Sequence, residues 1–155
     1  MSGVTLFVYG SLLAPSVLHA LLDRAPAPLP AQLPGYRCSA LRGQRFPGIV
    51  PSAGAQTPGA LIEVSRRELQ WLDAWEDDFF ERRRVRVLAG RACERPAQAY
   101  VLAPCYRHLL AARGWCVDDF ARRHAPACAE AARRWRRDRD PSLRHTTAQS
   151  PPPPR

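Results

Sequence analysis

Glu76 stands where a leucine is expected. Along Leu69-Gln70-Trp71-Leu72-Asp73-Ala74-Trp75-Glu76, a helix advances about 100° per residue, so with Leu69 as zero Leu72 falls at about 300° and Glu76 at about 340°. Asp73 lies at about 40°, on the edge of the same apolar stripe and one turn away. A carboxyl turned inward is desolvated, which raises its pKa, and a neighbouring carboxylate pushes the same way. Such a group can take up and return a proton near neutral pH, as general acid–base chemistry requires. The alternative is a helix-end carboxylate that frays into solvent beside Asp77 and Asp78.

The second chemical candidate is backbone. Leu6-Phe7-Val8-Tyr9 reads as a buried strand, Gly10-Ser11 as a tight turn, and Pro15 as the first turn of a helix over Pro15–Leu22. Strand, turn and helix start aim several N–H groups at one point, which favours an anion. The alternative is a strand that simply ends in a turn. Ser11 lacks the G-x-S-x-G surroundings of an activated nucleophile. His19, His108, His124 and His145 are scattered, and His124 with Cys128 at helical spacing supplies two ligands, too few for a metal site.

The elements that must position these groups follow from pattern. Ser65-Arg66-Arg67-Glu68 fits a capping box, opening a helix that ends near Trp75 or Glu76. Strands are expected at Gly35–Leu41, Gly59–Val64, Arg82–Leu88 and Ala97–Leu102. The Pro-rich run 25–34 reads as an extended connector, Gly43–Pro51 as a loop or short irregular strand, Gly54–Pro58 as a turn and Gly90–Pro96 as a hairpin loop. Near the C-terminus, Asp118 is expected to cap a short helix through His124. Pro126 breaks it or opens another segment, with Ala127–Arg137 helical and Trp135 anchoring that helix on the body. The class is α+β, built on a small, mostly antiparallel sheet or barrel. Residues 1–140 form one domain, and 141–155, closing on four prolines, form a disordered tail.

Composition narrows the function classes. No run nears the roughly 20 apolar residues that span a bilayer, and the N-terminus lacks a signal-peptide pattern, so a cytoplasmic setting is expected. Five widely spaced cysteines argue against a disulfide framework and for free, mostly buried thiols. All 23 basic residues are Arg and the net charge is +9, yet the cluster from Arg122 to Arg139 reads as a solvated helix face, not a nucleic-acid surface.

With those residues in view, Phe7-Val8-Tyr9-Gly10-Ser11-Leu12 resembles the opening motif of the gamma-glutamylcyclotransferase-like superfamily, in particular its plant AIG2-like branch. The order of features is similar too: Gly35-Tyr36, the Phe46-Pro47-Gly48-Ile49 loop, Gly59-Ala60-Leu61, Glu68-Leu69 through Leu72-Asp73 to Glu76, and Phe80-Glu81-Arg82. Trp115-Cys116-Val117-Asp118-Asp119-Phe120 resembles that branch's C-terminal helix. The resemblance implies a compact mixed, mostly antiparallel β-barrel flanked by short helices, with a C-terminal helical extension. It implies a small γ-glutamyl substrate whose own α-amine attacks the γ-carbonyl to release 5-oxoproline, with neither metal nor cofactor. The substrate loop would be Tyr9, Gly10, Ser11, Leu12, Leu13 and Ala14, the catalytic carboxylate Glu76, and Asp73 and Arg82 supporting residues. Three features depart from the pattern: Phe80 replaces a common Tyr, Asp77-Asp78 a more usual Glu-Gly, and Pro126 lies in a C-terminal helix that relatives run through. The other readings are a catalytically silent AIG2-like small-molecule binder or stress-response protein, and an Arg-driven binding module in residues 115–155.

Overall fold

A computed structural model describes residues 3–91 and 93–144. Five strands, β1 (Val4–Val8), β2 (Leu29–Ala40), β3 (Pro47–Val64), β4 (Phe80–Ala89) and β5 (Cys93–Leu102), close into a barrel in the order β1-β3-β2-β4-β5. Every pairing is antiparallel except the seam, where β1 runs parallel to β5 through Leu6–Gln98 and Phe7–Ala99. The helices are α1 (Pro15–Leu22), α2 (Arg66–Glu76), α3 (Val117–Arg123), α4 (Ala125–Arg139) and the short α5 (Pro141–Arg144). The mixed, mostly antiparallel barrel with flanking helices is thus the architecture the resemblance implied.

β1 shows how alternation builds two layers. Phe7 and Tyr9 point into the barrel with Leu33, Ile49, Val87 and Val101. Leu6 and Val8 point the other way, onto a layer where α1, α2 and α4 bury Leu21, Leu72 and Ala132. Both faces are dry, which explains a strand with no polar alternation. The close approach of β3 requires glycine at one point, because a Cβ on Gly59 would sit 2.3 Å from the Val8 carbonyl oxygen. On the helical side, Trp135 of α4 meets Trp71 and Trp75 edge-on at 5.8 and 5.3 Å, the anchor expected of it. Arg136 stacks its guanidinium 4.0 Å from the Trp71 ring centre and donates to the Leu21 carbonyl, tying α4 to α1 and α2.

The strands are longer than expected. The supposed connector becomes strand from Leu29, the run expected as a loop or short irregular strand is strand from Pro47, and the supposed turn at 54–58 lies inside β3. The reason is a long two-stranded ribbon in which the breakers are tolerated. Pro30 and Pro34 share a parity, so their missing N–H groups face one edge of β2, and β4 pairs there only at Ala31 and Gln32. Gly35 (φ 80°) and Gly54 (φ 79°) flank a register shift between Pro34 and Tyr36, so they bend the ribbon without ending it. The hairpin loop at 90–96 is likewise shorter, since β5 starts at Cys93 and Pro96 pairs with Arg86.

Further corrections concern the C-terminal part and the thiols. Asp118 does not cap α3; Cys116 is the N-cap, without a side-chain bond, and Asp118 lies in the first turn, favourable to the helix dipole. Of the two readings of Pro126, the structure has the second, since it lies in the first turn of a new helix, α4. Pro141–Arg144 adds one helical turn where the tail was expected to be irregular, and 145–155 lie outside the described residues. The cysteines are not mostly buried: Cys93, Cys105 and Cys116 are exposed, and Cys38 and Cys128 half-buried.

Candidate active site

Helix α2 carries its carboxylates as its local sequence dictates. Ser65 accepts the Glu68 N–H at 3.1 Å, and the Glu68 carboxylate accepts the Ser65 N–H at 2.9 Å, a complete capping box. Arg24 clamps the same Glu68 at 2.7 and 2.8 Å. With its start fixed, α2 buries Leu69 and Leu72 and delivers Glu76 to the end of the barrel. The helix closes with Asp77 N–H on the Asp73 carbonyl, which holds Asp77 at φ 54°, ψ −150°. That conformation favours glycine, so the residue after Glu76 carries backbone strain.

Glu76 lies at the junction of two spaces. One is a gap of about 20 Å³ between its carboxyl and the Tyr9-Gly10-Ser11-Leu12 backbone, room for a single water molecule. The other is a cavity of about 510 Å³, bordered by Glu76 and Ser11 on one side and by aromatic rings and α4 on the other. Burial, and then the charge of Asp73, push the Glu76 carboxyl up to about 8. It receives no hydrogen bond within the described residues. The inward placement read from helix periodicity is what the geometry has, although the residue as a whole is half-buried, its chain reaching the cavity.

The loop after β1 is a single 3-10 turn, Ser11–Leu13. Leu13 and Ala14 spend their N–H groups inside it, on the Gly10 and Ser11 carbonyls at 2.9 and 3.1 Å. The N–H groups of Gly10, Ser11 and Leu12 have no acceptor among the described residues and form the head of the turn, beside the narrow gap. Gly10 is required by proximity, because a Cβ there would sit 2.9 Å from Cδ of Pro47. Tyr9 donates its hydroxyl to the Tyr100 carbonyl at 2.6 Å, fastening the loop to β5. Burial, and then Glu76, raise the Tyr9 phenol well above its ordinary pKa, so it stays a donor.

Of the nine residues singled out from sequence, five converge: Tyr9, Gly10, Ser11 and Leu12 border the narrow gap with Glu76. Leu13 and Ala14 face away, toward the helical layer. Asp73 and Arg82 border a separate groove behind Glu76, where Arg82 donates to Asp73 at 2.9 and 3.1 Å and also to the Gln98 side chain. Asp73 binds no loop amide; its third donor is the Tyr100 hydroxyl, at 2.7 Å. Tyr100 is the residue that sequence reasoning missed. It borders the gap, and its phenol is raised by burial and by its bond to Asp73. What brings it to the site is the β4–β5 register, which sets Arg82 opposite Tyr100 only once the strands have paired. Among the described residues no group of three metal-ligating side chains occurs, and no helix is long and apolar enough to cross a membrane.

The closed mixed barrel is an architecture shared with known proteins. Residues 6–117 match the family described as gamma-glutamyl cyclotransferase, AIG2-like, and the chain belongs to that family. AIG2-like protein A of Arabidopsis thaliana is 39% identical over 92 residues, 59% of this chain and 56% of that protein. The chain thus spans little more than half the length of such relatives. An Arabidopsis thaliana protein solved in solution superposes with a TM-score of 0.66 at 28% identity, covering 84% of this chain and 89% of that one. A gamma-glutamyl cyclotransferase superposes at 0.60 with 17% identity, over 84% and 86% of the two chains, a likeness of fold alone.

Proposed function

We propose that the protein is a gamma-glutamylcyclotransferase that uses Glu76 as its base and then its acid. The observation that carries this reading is the Glu76 carboxyl, unbonded, pushed up to about 8 and facing both the loop and a cavity large enough for a small substrate. A γ-glutamyl compound would lie in the larger cavity, its α-carboxylate toward the Ser11 end of the loop, where the N–H groups of Gly10, Ser11 and Leu12 are free to donate. Its α-amine nitrogen forms a bond to the γ-carbonyl carbon while Glu76 takes the amine proton. Glu76 then gives that proton to the leaving nitrogen as the old amide bond breaks, releasing 5-oxoproline and a free amine. One carboxyl serves both steps because its pKa lies near neutral. Ring closure gains further from holding both reacting atoms in one molecule. Tyr9 and Tyr100 act as positioning residues, the first fixing the loop and the second fixing Asp73.

The test is 5-oxoproline release from a panel of γ-glutamyl amino acids, γ-glutamyl amines and glutathione, with Glu76→Gln as control. Release that disappears in Glu76→Gln supports the reading. Absence of product from every compound sinks it, and thermal stabilisation by the same compounds without product would identify a silent binding protein instead.

A further inference from the structure

The 510 Å³ cavity has a wall that the reaction itself does not need. Beyond Glu76 it is lined by Phe46, Phe79 and Phe120, and roofed by Ala127, Cys128 and Ala131 of α4. The rings pack on one another: Phe46 meets Phe79 edge-on at 5.4 Å, and Phe120 lies 5.5 Å from Trp115. Trp115 in turn donates its indole N–H to the Arg45 carbonyl at 2.9 Å, fixing the Gly43–Phe46 turn against α3. The roof is built from residues past 117, where the family match ends. The roof therefore belongs to the C-terminal helices, outside the matched barrel segment.

Two properties of that cavity say what would fill it. Its far wall is aromatic and aliphatic, and Ala127 and Ala131, one turn apart and exposed, leave space where larger side chains would close it. At its rim lies Arg45. It has no ion-pair partner among the described residues. Burial, and then Glu76, push the Cys128 thiol up, and the charge of Arg45 acts on the same thiol in the opposite direction. A pocket with an aromatic and aliphatic far wall, and with Arg45 unpaired among the described residues at an edge that also holds Gln44 and Asp77, suits a group that is bulky and apolar at one end and able to pair with the guanidinium at the other.

Resting on the cyclotransferase reading, we propose that this cavity receives the leaving amine and selects an amino acid with a large apolar side chain, its α-carboxylate paired with Arg45. In such a substrate the departing nitrogen, beside Glu76, is bonded to a carbon that carries both the side chain and the carboxylate. One can enter the aromatic wall while the other turns to the rim. Glutathione fits less well, because its cysteine side chain is small and its free carboxylate lies one residue further out. A γ-glutamyl amine without a carboxylate fills the pocket and leaves Arg45 idle.

The experiment compares γ-glutamylphenylalanine, γ-glutamylalanine, γ-glutamylphenethylamine and glutathione on the purified chain, by 5-oxoproline release and by calorimetric binding to Glu76→Gln. The expected kcat/KM for γ-glutamylphenylalanine exceeds that of γ-glutamylalanine by roughly tenfold or more, from burial of one ring. Ala131→Trp lowers the phenylalanine compound roughly tenfold more than the alanine compound. Arg45→Gln lowers γ-glutamylphenylalanine roughly tenfold more than γ-glutamylphenethylamine, since only the former has a carboxylate to lose. Ala127→Phe serves as a second filling variant, at another exposed position. Equal or better use of γ-glutamylalanine, or an equal loss of all compounds in the filled variants, overturns the proposal. If no compound yields 5-oxoproline, the cyclotransferase reading fails, and the same order of binding affinities then decides the pocket: phenylalanine compound tightest upholds it, indifferent binding overturns it.

Discussion

Two carboxyls one turn apart on α2 are treated in opposite ways. Asp73, at the more exposed edge of the stripe, accepts two bonds from Arg82 and one from Tyr100. One turn on, Glu76 has no donor and is pushed up to about 8, partly by the charge on Asp73. The contrast gives a division of labour. The hydrogen-bonded carboxylate is the fixed charge, and it helps keep a proton on the unbonded one.

Removing the inner carboxyl breaks the contrast most severely. Glu76→Gln should lower kcat for 5-oxoproline release by roughly 10²- to 10⁴-fold, the usual worth of a general acid–base group, with ligand-induced thermal stabilisation retained. The same variant sharpens the comparison through stability. Glu76 has an ordinary value of 4.5 and a folded value of about 8, so between those pH values the folded chain binds a proton that the unfolded chain has released. Stability from this group is therefore full below about pH 4.5 and lost as pH rises through about 8. Urea unfolding at pH 5 and pH 9 should show Glu76→Gln free of that loss and, at pH 9, more stable than the parent by up to about 5 kcal/mol.

Neutralising Asp73 is expected to act through Glu76. Asp73→Asn removes the nearby charge, so the acid limb of the kcat/KM profile should move below about 8, and loss of its strong acceptor role should cost about 1 kcal/mol in urea unfolding. An unmoved limb would show that burial alone sets the Glu76 proton. The smallest effect lies between the two regions, at the strained turn. Asp77→Gly should raise stability by about 1 kcal/mol in thermal unfolding, by relieving a conformation that suits glycine.

What sequence reasoning could read was what neighbours in the chain decide. The capping box at Ser65–Glu68, the helix at Pro15–Leu22 and the inward Glu76 all follow from spacing within one or two turns. The barrel's long ribbon was hidden because Pro30, Pro34, Gly35 and Gly54 carry the signature of loops. Their tolerance depends on which strand edge is left uncovered, a property of the closed sheet. Tyr100 was hidden for a related reason: its hydroxyl meets Asp73 only after β5 has paired with β4 and α2 has docked. The wall formed by α4 likewise exists only through tertiary packing, since Ala127 and Ala131 alone are unremarkable helix formers.

The parallel seam between β1 and β5 governs how the molecule is made as well as its shape. β1 can pair with β3 early, but its other edge waits for Gln98 and Ala99, more than ninety positions downstream. Contacts so distant in the chain are entropically slow to form, while the β2–β3 and β4–β5 hairpins need only local encounters. Barrel closure is therefore expected late in folding, and with it the bond from Tyr9 to the Tyr100 carbonyl. On a ribosome, the turn at Gly10 would emerge first among the proposed active-site parts and be the last to reach its working position.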